Sequence, residues 1–310
     1  MNDFLVTVNS NIQDTQSGYR FHKALYPTMS KMQEKDFDTV YVNRHNEYSV
    51  GKQMMGEALI TNEGQQAPYG SFSNYGQKSF NFPCYTLQVN ISRIYLEDNL
   101  YREVAPQLGV AFLQSMIEAV NLEVAAFYRK GFETNGNIGL DGKTLYATDH
   151  PTLKGPVSNT INAAAMFNYS TFYQMLINMW RFKARNGFLT GNMMAKVITC
   201  PPELTANIFV ILESQFSPST SSFAINAARG MKWISDGIHC NPYIAKNSVM
   251  IRTNLPGMYM FIRHPFDISQ MPNISTYSLL TSCFMRFALN YDDFRSSLGM
   301  QMPLSAENYI

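Results

Sequence analysis

Three places in the 310-residue chain carry side chains whose types and spacing could do chemistry. Asp149-His150 sets an acid beside a base, the pair from which an acid–base dyad is built. Adjacent residues seldom face each other, and His150 precedes Pro151, which holds it in extended backbone. No Gly-x-Ser-x-Gly supplies a nucleophile. The expectation is a turn held by Asp149 side-chain bonds to nearby backbone. Gly142-Lys143-Thr144 has the ending of a phosphate-binding loop. That loop needs glycine at position 137, where asparagine stands; Gly136 is one residue early, and the segment follows a predicted helix where the motif follows a strand. A tight turn fits better. His239-Cys240, with Cys200 and His264, offers soft-metal donors, but the spacings match no zinc pattern and strand neighbours point to opposite faces. These four read as buried packing residues. Neither metal nor cofactor is expected, and no enzyme.

The elements around these residues are better defined. Residues 1–36 read as an extended arm with a short helix near Tyr19–Leu25, followed by a β-branched and aromatic run at Phe37–Val42. Thr61–Phe80 holds three glycines and a proline, and strand-like stretches flank it at Tyr48–Ile60 and Phe80–Ile94. In the second, Tyr85, Leu87, Val89 and Ile91 alternate with polar residues, which predicts a long hairpin with a floppy tip. Leu108, Phe112, Met116, Val120, Val124 and Phe127 recur at helical spacing and predict a long helix over 104–131, with Pro106 in its first turn and Gly131 at its end. Helix 170–184, capped by Ser170 or Thr171, precedes a strand Ala195–Cys200, a Pro201-Pro202 break and a helix Glu203–Glu213. Strand-like pieces follow at 233–235, 249–252 and 258–262. The tail 277–294 alternates Leu279, Thr281, Cys283, Met285, Phe287, Leu289 and Tyr291 on one face. The class is α+β.

Composition narrows the role. Charged residues are 15% of the chain against roughly 25% in an average soluble domain, and 27 asparagines and 41 aromatics fill the gap. Tyrosine packs well at wet interfaces, which lack lysine and glutamate, so much of the surface is read as facing other proteins. A net charge of +1 provides no field to grip DNA. Four scattered cysteines without a Cys-x-x-Cys pair read as reduced thiols or small core residues. The nineteen methionines read as gap-filling core. No signal peptide is visible and no uninterrupted apolar run reaches the length of a membrane span, so a soluble, cytosolically made protein is expected.

Three stretches carry a family resemblance: Glu63-Gly-Gln-Gln-Ala-Pro-Tyr69 leading into Tyr85–Leu100, Asp141–Pro151, and Lys196–Leu204 followed by Asn226-Ala-Ala-Arg-Gly230. In this order they resemble the major capsid proteins of tailed bacteriophages, the Mu-type major head subunit in particular, over residues of about 35–295. The resemblance implies a Hong-Kong-97-like shell fold. Its parts would be an N-terminal arm (1–36), an extended hairpin loop (43–95), a discontinuous peripheral domain with a spine helix (37–42, 96–135 and 263–310) and an axial domain (136–262). It implies assembly as pentamers and hexamers into an icosahedral head around DNA, in a virion built in the bacterial cytoplasm. Partners would be further copies of the chain, scaffolding, portal and decoration proteins, and packaged DNA touched weakly.

Gln65, Tyr69, Tyr75 and Lys78 at the hairpin tip would touch a neighbouring subunit. Arg93, Glu97 and Asp98 would make ion pairs within or between subunits. Some relatives crosslink through a loop lysine, for which Lys78 is the candidate. The alternatives are an encapsulin-like compartment shell, another virion part such as a decoration or connector protein, and, from a different class, a hydrolase using Asp149 and His150. The long helix after a hairpin argues against the second.

Overall fold

The computed structural model describes residues 36–42, 48–50, 77–98, 101–162, 167–185, 187, 189–217, 225–231 and 234–303. The expected arm and its helix, and Gln65, Tyr69 and Tyr75, lie outside them.

The 32-residue helix α2 (Tyr101–Phe132) follows the short α1 (Arg93–Glu97) and is about 48 Å long. Phe112, Met116, Val120, Val124 and Tyr128 recur every fourth residue and are buried, giving one apolar stripe. The stripe lies on a four-stranded sheet, in the order β1 (Asp38–Tyr41), β9 (Met258–Asn273), β10 (Ser278–Tyr291), β4 (Cys84–Ser92). Met260, Ile262, Cys283, Met285, Phe287 and Tyr291 meet it from the sheet. Phe37 sets its ring edge-on to Phe127 at 5.2 Å, and Tyr85 stacks on Phe287 at 4.7 Å. Leu108–Phe132 is by length and composition apolar enough to cross a membrane, although Glu118, Glu123, Arg129 and Lys130 interrupt every run. Its inner stripe is spent on the sheet.

The second sheet runs β5 (Thr160–Asn162), β11 (Ser297–Gln301), β8 (Ser248–Thr253), β6 (Ala195–Cys200), β7 (Ile238–Cys240). Helices α3 (Tyr169–Trp180) and α4 (Pro202–Glu213) cover one face with Phe172, Met175, Leu176, Met179, Ile208 and Ile211. β8 is buried along its whole length: Val249 and Ile251 enter this core while Met250 enters the α2 core. A strand shared by two cores shows no alternation of apolar and polar residues. α5 (Ala227–Met231) packs beside α4.

Several expectations shift. The cap of α3 is Asn168, whose side chain accepts from the Thr171 backbone while Thr171 answers the Asn168 N–H; the helix starts at Tyr169 and ends at Trp180, short of Lys183. The hairpin closes between β2 (Tyr48–Val50) and β3 (Gln77–Ser79), whereas the expected return strand β4 pairs antiparallel with β10. Lys78 opposite Ser49 is therefore at the hairpin's root, not its tip. The sheets also cut across the domain boundaries drawn from sequence. Met258–Ile262 belongs to the first sheet and Ser297–Gln301 to the second.

Burial pushes the phenols of Tyr128, Tyr146 and Tyr291 well above their ordinary range. An unfolded tyrosine ionises near pH 10, while these hold their protons in the folded chain. Their contribution to stability is thus complete below about pH 10 and is lost as the pH rises further. Phenolate absorbance is expected to lag in the folded chain and then rise together with loss of helix signal; early, unfolding-free ionisation of all eighteen tyrosines would contradict this.

Candidate functional site

The segment 135–160 carries the candidate chemistry and is built from tight turns. Gly142 has φ +76°, the Gly139 N–H donates to the Lys143 carbonyl at 2.7 Å, and Ile138 bridges Thr144. Gly142-Lys143-Thr144 is the turn expected of it. Asp149 and His150 do not form a dyad. Asp149 is exposed and pairs first with the Lys143 ammonium, whose hydrogen bond, with a lesser one from the Asp149 backbone, holds its carboxyl below the ordinary range. His150 is fully buried, and its ring stacks on Phe294 at 4.0 Å.

The partner of His150 is Asp141, with Nδ1 2.5 Å from Oδ2. Its Nε2 lies 3.0 Å from Asn159 Oδ1. The Asn159 amide donates toward the carbonyls of Leu145, Phe294 and Ser297 at 2.6, 3.0 and 3.1 Å, so Oδ1 is the accepting end. It takes the Ala147 N–H at 3.1 Å and a proton on Nε2. The imidazole is thus a cross-brace with both nitrogens occupied, and neither is available to a substrate.

The brace stands where the chain passes from β10 into β11, between the two cores. Tyr146 Oη meets Ser297 Oγ at 2.8 Å, and Tyr291 donates to the Lys143 carbonyl at 2.8 Å. The Lys78 ammonium lies 5.0 Å over the Tyr291 ring, which ties the hairpin root to the same place. Burial lowers the pKa of Lys78, with Asp292 and Asp141 opposing. At the other edge Arg252, buried in β8, holds Asp38 of β1, and Asp36 holds Thr199 and His239.

Asp149→Ala is accordingly expected to leave the denaturant midpoint and any particle formation essentially unchanged. A hydrolase that uses Asp149 would instead lose turnover in this variant.

The soft-metal candidates are dispersed. Cys200 is buried, whereas Cys240 is exposed and His264 half-exposed, which corrects their reading as packed core. His239 is bound to Asp36. Among the described residues no three His, Cys, Asp or Glu side chains are placed to hold a metal. Arg93 stands 5.7 Å over the Tyr277 ring and Asp98 is exposed just past the end of α1; nothing is described of the Glu97 side chain.

What remains is surface. α4 and the turn after it expose Phe209 (59%), Val210 and Phe216, with Ile225 (85%) bridged to Phe216. The tip of the β9–β10 hairpin exposes Met271, Ile274 (71%) and Tyr277, and Arg93 of α1 bonds back to the Tyr277 carbonyl, bringing Ile94 near. These exposed apolar side chains form two separate patches, one on α4 and the turn after it and one at the β9–β10 tip.

No family model matches the chain and no curated protein matches it. Solved structures do. A protein of Mycobacterium phage Patience superposes with a TM-score of 0.56 over 94% of this chain and 89% of its own, at 12% identity. The capsid of the native GTA particle matches with a TM-score of 0.55 over 87% and 89%, at 13% identity. A virus-like particle from Pyrococcus furiosus matches with a TM-score of 0.52 over 93% and 98%, at 11% identity. The chain has the Hong-Kong-97-like capsid fold. Sequence reasoning missed the His150 brace because Asp141 and Asn159 each lie nine residues away, brought in by turns.

Proposed function

We propose that this chain is a phage major capsid protein: a structural tile that assembles as pentamers and hexamers into an icosahedral head enclosing DNA. The observation that carries this reading is the superposition on a virus-like particle and on the capsid of a GTA particle over nearly the whole length of both chains. The exposed apolar surfaces and the low charge support it, since a tile is completed by its neighbours. The peripheral part then comprises residues 36–42, 84–132 and 258–291, and the axial part comprises 160–253 with 297–301. The hairpin root at Lys78 carries a loop reaching a neighbouring copy through Gln65, Tyr69 and Tyr75. Arg93, Glu97 and Asp98, near Tyr277 at the other end of β10, make ion pairs within or between subunits. Scaffolding, portal and decoration proteins are the further partners, with assembly in the host cytoplasm and residence in the virion. A phage and a GTA particle among the likenesses favour a head over a cellular compartment shell.

Size-exclusion chromatography and negative-stain microscopy of the purified chain test this. Rings or closed shells, alone or with a co-expressed scaffold, are expected. A chain that stays monomeric at high concentration and with scaffold overturns it.

A further inference from the structure

Cys200 ends β6 and Cys240 ends β7, and the two are register partners in the parallel pair. The residues just before them fix which way they face. Thr199 Oγ1 donates to one oxygen of Asp36, and His239 Nδ1 is 2.6 Å from the other, so Thr199 and His239 share a face. Alternation along each strand puts Cys200 and Cys240 together on the opposite face. Register partners on adjacent strands stand about 4.8 Å apart, inside the roughly 4.4–6.8 Å Cα range of disulfides. Their Cβ atoms must approach to about 3.5–4.5 Å. Among the described residues β7 is an edge strand of three residues, paired on one side only, and can shift by that fraction of an ångström.

We propose that Cys200 and Cys240 are a reversible cross-strand disulfide site, oxidised by exchange with a small disulfide such as oxidised glutathione. Exposed Cys240 reacts first. Its thiolate attacks one glutathione sulfur, the mixed disulfide forms, and a glutathione thiolate leaves and takes up a proton. The Cys200 thiolate then attacks the Cys240 sulfur and expels the second glutathione. Two protein thiols are oxidised and one glutathione disulfide is reduced to two thiols. Burial pushes the Cys200 thiol up to about 11, and its Sγ lies 3.5 Å from Thr205 Oγ1. The second step is therefore slow at neutral pH and quickens as pH rises.

The bond would close the loop from 201 to 239, including α4 and the exposed Phe209–Ile225 surface, and pin the free edge of the second sheet. The bond itself rests on the strand register. Only its timing, reduced during assembly and oxidised once outside the cell, rests on the capsid reading.

The test treats the full chain, assembled and unassembled, with oxidised glutathione and counts thiols after denaturation. The count is expected to fall from four to two once any glutathione held by exposed Cys84 is scored separately by its mass, and a non-reducing digest should join the peptides of Cys200 and Cys240. The thermal midpoint should rise by several degrees, reversed by dithiothreitol and absent in Cys240→Ser. A count that stays at three or four, or a link through Cys84, overturns the proposal. Intact particles without the bond sink the disulfide alone. A bond in a chain that never assembles leaves the disulfide standing and removes the capsid timing.

Discussion

An Asn159→Ala chain is expected to lose about 4 kcal/mol of unfolding free energy, seen as a large drop in urea midpoint with unchanged slope. Asn159 is fully buried and satisfies five groups at once: three carbonyls, the Ala147 N–H and the His150 ring. Truncation leaves a group with no other partner at a cost of about 1–3 kcal/mol, partly relieved if water enters the gap, while the Phe294 carbonyl keeps the Ser297 N–H and the His150 ring keeps Asp141. Two of the carbonyls, Phe294 and Ser297, lie on the chain as it passes from the first sheet to the second. The loss would therefore loosen the joint between the two cores more than either core itself. Against a total of about 5–15 kcal/mol, this is enough to deplete the folded chain. Asn159→Asp separates hydrogen bonding from volume. It keeps the shape but sets an oxygen against three carbonyl oxygens, so it should be at least as damaging as alanine. A midpoint shift below about 1 kcal/mol in both variants would show that the brace is dispensable.

The same joint marks how far the sequence could be read. Elements whose burial follows a simple period were legible: the stripe of α2, the alternation in β10, and β6 with its Pro201-Pro202 break before α4. Their signals arise because one face meets a core and the other does not. β11 was not legible, since Ser297, Leu298, Gly299 and Met300 are all buried and a strand covered on both faces does not alternate. Gly299 is there for space: a Cβ would stand 2.6 Å from the Tyr146 ring and 2.7 Å from Phe132. β9 runs eleven residues past its expected end, through Pro265 and Pro272, two residues that argue against a strand. A register shift opposite Arg286 accommodates the chain near Pro265. At the candidate site, the sequence suggested the acid next to the histidine, and the fold selected the one nine residues before it. Sequence adjacency on an extended segment sends side chains apart, while a tight turn returns a distant one.

The second large effect concerns assembly without stability. Replacing Phe209 and Ile225 together by aspartate is expected to abolish rings and shells while moving the thermal midpoint little. Both side chains are largely exposed in the single chain, so charging them buries nothing and breaks no packing in the monomer. On the proposed function this surface meets its neighbours around each capsomer, and two carboxylates per copy, repeated five or six times around an axis, would then face one another across a desolvated ring. Like charges so placed cost several kcal/mol per contact, more than a weak tile contact provides. Ile208 and Ile211 on the inner side of the same helix supply the contrast, because they are buried in the second core. Ile208→Asp should unfold the second sheet with its helices and lose particles through instability. The double variant and Ile208→Asp are read by microscopy and thermal melting side by side. Normal particles from the chain carrying both Phe209→Asp and Ile225→Asp would move the capsomer contact away from α4, whereas a collapsed midpoint would mean that this surface is part of the monomer's own packing.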